Sequence, residues 1–361
     1  MAARFDRTNS QALQMIRIAI SGVGAIAERA HIPALRSVAD AQIVALQSRT
    51  ADKAEQVARA LWPDEAGRPA TYSDFDAMLA REHPDAVGIF TPNRLHCEFT
   101  VKALDAGAHV LVEKPMAPTV AEARKMVDAA SNGGRVLMVA MQRRFGGIER
   151  AIKDALMSGA IGKPHFIRAR FSHGGPHLWA PGQNWFTTAA EAGGGAMLDL
   201  GVHVADLAIW FMGEVDSVSG QVGTLAKQIE VDDTGAMVLH FKSGAIGVVE
   251  ASWSSMPPLS AIEIYGTAGR VMAGYPRNDI SILKADGSPA PGYSRDEVMG
   301  RFDPRDFLAP ARELAANFID AILGRVKPSP DGNDGLRAVE AIEACYRSSR
   351  TGSRIKLPLD S

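Results

Sequence analysis

A chain that runs Met15-Ile16-Arg17-Ile18-Ala19-Ile20-Ser21 straight into Gly22-Val23-Gly24-Ala25-Ile26-Ala27 has few folds open to it. Ile16, Ile18 and Ile20 make a short apolar run that reads as a buried strand. Gly22, Gly24 and Ala27 then spell G-x-G-x-x-A, which opens a helix through Glu28 to His31 before Pro33 constrains it. Gly22 permits a tight turn, Gly24 lets a phosphate reach the backbone, and Ala27 lets helix and strand pack closely. The start of the helix offers N–H groups without intrahelical partners and a positive partial charge. The expected ligand is therefore the pyrophosphate of a dinucleotide, held at Gly22, Gly24, Ala25 and Ile26.

The alternation of short apolar runs and helical stretches continues. Residues 42–47 read as a second strand and 52–60 as a helix, followed by a short helix over 72–80 with Ser73 as its cap. Residues 85–90 read as a strand, 98–106 as a helix closing on Gly107, 109–112 as a strand, 119–130 as a helix and 135–140 as a last strand. Such alternation demands parallel pairing with right-handed crossovers, so residues 15–140 are expected to form a doubly wound α/β domain. Ligands bind outside the carboxyl ends of its strands. At the tip of the second strand stand Ser48 and Arg49, where NAD-selective folds carry a carboxylate. A hydroxyl and a guanidinium donate to a 2′-phosphate that an acid would repel. NADP is expected over NAD on this ground; the plainer alternative makes Arg49 a solvated loop residue and Ser48 a helix cap.

Beyond residue 140 the pattern changes. Residues 163–172 alternate in polarity, and two hairpins are expected: 238–241 with 245–251 across Ser243-Gly244, and 261–265 with 270–273 across Thr267-Ala268-Gly269. Strands in succession point to an α+β domain over 141–361 with an antiparallel or mixed sheet. Residues 284–306 read as a loop or lid, 310–323 and 335–347 as helices, and 1–14 as a polar leader. At 361 residues the chain has room for two such domains. Its net charge of -2, without a dense Lys/Arg run, gives no electrostatic footprint for nucleic acid or an anionic membrane. No window offers about 18 uninterrupted apolar residues for a membrane span, and the leader lacks the pattern of an export signal. Cys97 and Cys345 suit neither a disulfide framework nor a CxxC metal site. A cytoplasmic location and a small-molecule partner are expected.

The chemistry-bearing residues lie at strand ends and on one late helix. Gly193-Gly194-Gly195 leads into a helix expected over 197–211 and ended by Gly213. Asp199 and His203 share one face of this apolar helix, with Asp206 one turn on. Polar groups so placed are either paired in the core or look into a cleft. His173 and His177 flank Gly174-Gly175-Pro176, which denies them the helical geometry of a zinc pair, and no metal is expected. Gln142-Arg143-Arg144-Phe145 falls where the domains should meet, so an arginine there, taken as Arg144, either binds substrate or pairs across the interface. Trp179, Asn184 and Trp185 either wall a sugar site or belong to the core.

Together, the glycine loop, Thr91-Pro92-Asn93 with His96, Glu113-Lys114-Pro115 and Asp199-x-Gly201-x-His203 resemble the glucose-fructose oxidoreductase and inositol dehydrogenase family (Gfo/Idh/MocA) in order and spacing. The likeness spans most of the chain, to the helix at Asp334-Gly335 and its end near Thr351-Gly352. It implies an N-terminal Rossmann domain and a C-terminal domain on a large open, mostly antiparallel sheet that joins copies into a homodimer or homotetramer. It also implies oxidation or reduction of one hydroxyl or carbonyl of a sugar, cyclitol or related polyol with NAD or NADP. Lys114 matches the family's active-site lysine, Asp199 its substrate-binding aspartate and His203 its catalytic histidine. Thr91, Pro92, Asn93, His96, Glu113 and Lys114 are expected beside the cofactor, and Lys114, Arg144, Trp185, Asp199 and His203 around the substrate. The resemblance further suggests a cis Lys114-Pro115 bond.

Hydride leaves an alcohol carbon only as the hydroxyl proton departs, so a base of near-neutral pKa is needed; an imidazole suits. Asp199 would orient that ring or bind a neighbouring hydroxyl, and the Lys114 cation would stabilise alkoxide character. Two readings from other classes stay open: an NAD-dependent glycoside hydrolase that oxidises its substrate transiently, and a nonenzymatic NADP-binding sensor.

Overall fold

The apolar run after Met15 becomes β1 (Ile16–Ser21), the strand from which a six-stranded parallel sheet grows in both directions. The computed structural model describes residues 15–65, 67–178, 182, 184–274 and 279–360; the expected leader and Trp179 lie outside them. β2 (Ala41–Gln47) and β3 (Ala70–Tyr72) lie on one side of β1, and β4 (Ala86–Ile89), β5 (His109–Val112) and β6 (Leu137–Val139) on the other, in the order β3-β2-β1-β4-β5-β6. The strand order therefore reverses between β1 and β4, directly beneath the glycine loop. α1 (Ile32–Arg36) and α2 (Ala51–Leu61) pack on the face that carries Ile18 and Ile20. α3 (Phe75–Glu82), α4 (His96–Asp105) and α5 (Val120–Gly133) cover the opposite face, against Ala19, Val87 and Val110.

After α6 (Gly147–Met157) comes β7 (Pro164–Ser172), then α7 (Ala189–Ala192) and α8 (Val202–Met212). β8 (Val215–Gly223), β9 (Thr234–Phe241), β10 (Ile246–Ser252), β11 (Leu259–Gly266), β12 (Gly269–Gly274) and β13 (Asp279–Lys284) follow, then α9 (Arg295–Met299), α10 (Ala309–Ile322), α11 (Gly332–Thr351) and β14 (Ile355–Lys356). These strands form one sheet in the order β13-β12-β11-β7-β10-β9-β8-β14. All its pairings are antiparallel except β7 with β10. Alternation gives the sheet two faces: Ile167, Ala169, Val249, Ala251, Ile262 and Ile264 are buried toward α8 and α11, while Arg168, Arg170, Val248, Glu250 and Tyr265 stand on the other face. The most apolar 18 residues of the helical stretch Ala189–Met212 are 94% buried inside the protein, as befits a core helix between sheet and α11.

Several expectations need correcting. Tyr72 ends β3 instead of starting a helix; α3 begins at Phe75, capped by Asp74, whose carboxylate accepts from Ala77 N at 2.6 Å, and not by Ser73. Pro33 follows directly on the π-helical turn Ala27–His31, and the helix runs on past it to Arg36. The stretch 284–306 contains α9, held by a capping box between Ser294 and Glu297. α10 belongs in sequence to the second half, yet Ala311, Leu314, Phe318 and Ile319 join the core of Ile18, Ile20 and Ile32. One helix of the second half thus packs back onto the parallel sheet of the first.

Candidate active site

The glycine loop is shaped by contact on one side and openness on the other. Gly22 has φ +88°, and a Cβ there would lie 2.5 Å from the carbonyl carbon and oxygen of Phe90, so only glycine fits. Its N–H donates to Gln47 O at 2.9 Å, tying the loop to the end of β2. Above Gly24 nothing lies within 4 Å of a built Cβ. The helix that follows opens with a π-helical turn, Ala27–His31, a widening that recurs at functional sites. Across the loop, the Thr91 hydroxyl oxygen is buried without a hydrogen-bond partner among the described residues. At the end of β2, Ser48 is half-buried and Arg49 exposed, its guanidinium without an ion pair or hydrogen bond among the described residues, while Thr50 and not Ser48 occupies the N-cap of α2. An open backbone cradle and an orphaned hydroxyl fit a nicotinamide dinucleotide.

Three residues expected beside the cofactor turn out to brace the loops that carry it. His96 is fully buried, with Nδ1 2.8 Å from Pro115 O and Nε2 2.8 Å from Thr91 O, so its ring cross-links two strand-end loops. Glu113 faces His31 Nε2 at 2.6 Å and accepts from Lys114 N at 2.8 Å; His31 in turn stacks on Phe90 at 4.1 Å. Burial would raise the Glu113 carboxyl, but the His31 contact and the Lys114 charge outweigh it and hold it below the usual range. Asn93 donates to Ala192 O at 2.9 Å, linking the loop after β4 to α7. Pro92 starts the short 3-10 turn Asn93–Leu95.

The reacting centre forms where Lys114, just past β5, meets the start of the α8 helix. Its Nζ donates to Asp199 Oδ1 at 2.5 Å and to Asp199 O at 3.0 Å, and the Lys114-Pro115 peptide is cis. Asp199 lies in a second π-helical turn, Met197–Gly201, that runs into α8. Its other oxygen, Oδ2, accepts from Trp253 Nε1 at 3.1 Å, so the carboxylate is engaged by Lys114 and Trp253 and does not orient His203. The turn itself is pinned from β9's side: Asp232 accepts from Gly195 N and Met197 N, each at 2.8 Å, and from Tyr346 Oη at 2.7 Å. A Cβ on Gly195 would collide with Asp232 O, which explains the glycine run at that point.

His203 stands on the first turn of α8, edge-on to Phe171 with ring centres 6.0 Å apart. Its Nδ1 is buried without a partner among the described residues. Burial first, then the charges of Lys114 and Arg143 and the nearby His173, hold its pKa well below the ordinary imidazole value. At neutral pH the ring is therefore an uncharged base beside a cation, the state a proton acceptor requires.

Arg144 is not at this centre. Its guanidinium donates to Asp206 at 2.9 and 2.5 Å and to Asp334 at 3.0 Å, with the arginine and Asp206 side chains only 5% and 2% exposed. The interface pairing is the one that holds, and with it the apparent polar stripe of Asp199, His203 and Asp206 divides between a cleft and a core ion pair. Arg143, its neighbour, reaches Glu149 and Ser260 and leaves Nη1 buried without a partner among the described residues. Trp185 stacks on Phe186 at 3.6 Å and packs against the core, and Asn184 is exposed. Trp253, His31 and Asp232 escaped the sequence reading, because none carries a motif and each meets its partner only in the folded chain, while His173 was weighed only as half of a zinc pair.

Two family models match the chain: an oxidoreductase family, NAD-binding Rossmann fold, over residues 16–141, and the GFO/IDH/MocA C-terminal domain over 150–272. The 1,5-anhydro-D-fructose reductase of Ensifer adhaerens is 31% identical over 355 residues, covering 95% of this chain and 99% of that protein. The D-xylose 1-dehydrogenase (NADP(+)) 2 of Haloferax volcanii is 30% identical, over 94% of this chain and 98% of its own. Among solved structures, the WlbA dehydrogenase of Bordetella pertussis, in complex with NADH and UDP-GlcNAcA, superposes with a TM-score of 0.85 at 29% identity, over 96% of this chain and 99% of that one.

Proposed function

The chain belongs to the GFO/IDH/MocA oxidoreductase family, and from that membership we propose an NAD(P)-dependent dehydrogenase or reductase acting on one hydroxyl or carbonyl carbon of a sugar, cyclitol or related polyol. The observation that carries the reading is the convergence of Lys114, from the end of β5, on Asp199 at 2.5 Å, on the helix that also carries the uncharged His203, whose Nδ1 has no partner among the described residues. When bound, the nicotinamide supplies or accepts the hydride. His203 holds the lone pair that receives the substrate hydroxyl proton. Lys114 donates toward the same oxygen as it gains alkoxide character, while Asp199, steadied by Trp253, keeps the ammonium in place and accepts from a neighbouring hydroxyl.

Ser48 and Arg49 support NADP as the preferred cofactor, since two donors and no carboxylate meet the 2′ position. Thr91, with its unpartnered hydroxyl, supports a contact to the bound dinucleotide from the β4 side. The open face of the eight-stranded sheet supports pairing of copies: Phe166 stacks on Tyr265 at 5.5 Å there, and Ile246 and Met272 are each 43% exposed. The test is nicotinamide absorbance with NAD and NADP against a panel of sugars, polyols and keto-sugars. Turnover of a polyol supports the reading. Silence with both cofactors across the panel refutes it, and release of free sugar without net cofactor change would mark the hydrolase instead.

A further inference from the structure

We infer that His173, His177 and Lys227 form a second subsite, next to the reacting centre, that takes an anionic substituent of the substrate, so that the favoured polyol carries a carboxylate or phosphate. This rests on the redox reading above for the word substrate, but the binding site itself does not.

β7 ends at Ser172, yet its ladder continues one step, with His173 N donating to Ser252 O at 3.0 Å. Alternation then puts His173 on the same side as Phe171, which it meets edge-on at 5.8 Å, while Phe171 meets His203 at 6.0 Å. His173 thus lies one aromatic ring away from the base. Gly175 N donates to His173 Nδ1 at 2.9 Å, so in the neutral ring the proton resides on Nε2, a hydrogen-bond donor. Gly175 has φ +111°, and a Cβ there would stand 3.2 Å from His177 Nδ1 and 3.4 Å from Lys227 Cε. Both side chains therefore close around the same glycine.

Lys227 sits on a loop that cannot drift: Asp233 Oδ2 accepts from Ala226 N and Lys227 N, each at 2.7 Å, and from Leu225 N at 3.1 Å. The backbone is pinned, while the ammonium has no ion pair or hydrogen bond with the described residues. Other cations nearby are matched: Lys114 by Asp199, Arg143 by Glu149, and Arg144 by Asp206 and Asp334. Residues 179–181 and 183, in the adjoining segment, are Trp, Ala, Pro and Gln and contribute no carboxylate. The field is felt at His173, which burial, then the charges of Lys114, His177 and Lys227, hold below its ordinary value against the opposing pull of Asp199. One unmatched cation and two imidazoles, grouped within reach of a hydroxyl-oxidising centre, are a receptor for an anion.

The test compares the full-length protein with Lys227→Gln, His177→Gln and the charge-preserving Lys227→Arg. Initial rates of NADP and NAD reduction are measured on glucose, glucuronate and glucose 6-phosphate, and thermal midpoints are measured with glucuronate, inorganic phosphate and glucose without cofactor. The expected result is a kcat/KM for one acid at least about tenfold above that for glucose, the factor one charge-assisted contact carries. That ratio should fall about tenfold in Lys227→Gln, mainly through KM, and return in Lys227→Arg. Which acid loses its advantage tells carboxylate from phosphate. A ratio near one in the wild type, or one unmoved by Lys227→Gln, overturns the subsite. If none of the three turns over with either cofactor, the broad panel above decides the redox reading and the midpoints decide the subsite. Stabilisation by glucuronate or phosphate but not glucose, lost in Lys227→Gln, keeps the anion site, and equal midpoints overturn it.

Discussion

Replacing Arg144 by alanine separates a structural arginine from a substrate-binding one. The wild-type guanidinium is 5% exposed and makes two bonds to Asp206 and one to Asp334. Its removal strands two carboxylates unequally. Asp334 keeps partners, since it accepts from Arg337 at 2.7 Å and shares the capping box of α11 with Asp331. Asp206, 2% exposed on an apolar helix, keeps none among the described residues. Breaking a buried pair from one side costs about 3–5 kcal/mol, and the deep position of Asp206 places Arg144→Ala in that range. Burial pushes the Asp206 carboxyl up even with Arg144 present. Without the arginine it rises further above its unfolded value, so the loss is smallest in acid and grows as pH climbs through the new pKa. Denaturant titrations at pH 5 and pH 7.5 should show the wild-type advantage widening at the higher pH, and Asp206→Asn in the Arg144→Ala background should recover a large part of it. An Arg144→Ala protein of wild-type stability whose KM for its substrate has risen tenfold would refute this account and return Arg144 to the substrate site.

Three further outcomes follow from the site. His203→Ala should lower kcat by roughly 10²- to 10⁴-fold with little change in cofactor binding, measured by steady-state rates beside a cofactor titration, as expected for loss of a proton acceptor. Arg49→Glu should weaken NADP about tenfold or more relative to NAD in paired fluorescence titrations, since a carboxylate then faces the 2′-phosphate; an unchanged ratio would place cofactor choice elsewhere. Because folding lowers the pKa of His203, unfolded chains take up a proton that folded ones refuse. Its contribution to stability is therefore complete above about pH 6.5 and is lost as pH falls toward the folded value, and His203→Gln should flatten that part of the stability profile.

How much of this was readable in advance divides along a physical line. β1, its glycine turn and the strand ends at Thr91 and Lys114 are written in contiguous residues, because a parallel strand buried on both faces is a plain apolar run and a phosphate turn needs glycine locally. β8 was missed because a bulge between Val215 and Ser217 breaks its period of two. α3 was misplaced because Ser73 and Asp74 are both competent caps and only the strand ending at Tyr72 chooses between them. Arg144 was drawn toward substrate because its partners, Asp206 and Asp334, are 62 and 190 residues away.

The residues that complete the centre were hidden for a related reason. Ser172 pairs with Ser252 at the carboxyl ends of β7 and β10, the parallel pair within an otherwise antiparallel sheet. The next residue on each strand is His173 on one and Trp253 on the other, so one register places both at the same rim. Antiparallel neighbours would have sent those side chains to opposite ends of the sheet. Lys114 likewise stands one residue past the Glu113 that follows β5, at the carboxyl rim of the other sheet. Trp253 reaches Asp199 from one rim and Lys114 reaches it from the other, which makes Asp199 the joint between two sets of parallel strand ends. If that is why the second sheet departs from antiparallel pairing, then Trp253→Phe, which deletes a single donor and leaves the ring, should cut kcat while sparing cofactor affinity. A Trp253→Phe enzyme with unaltered kcat would mean that Lys114 alone fixes Asp199, and that the parallel pair serves packing only.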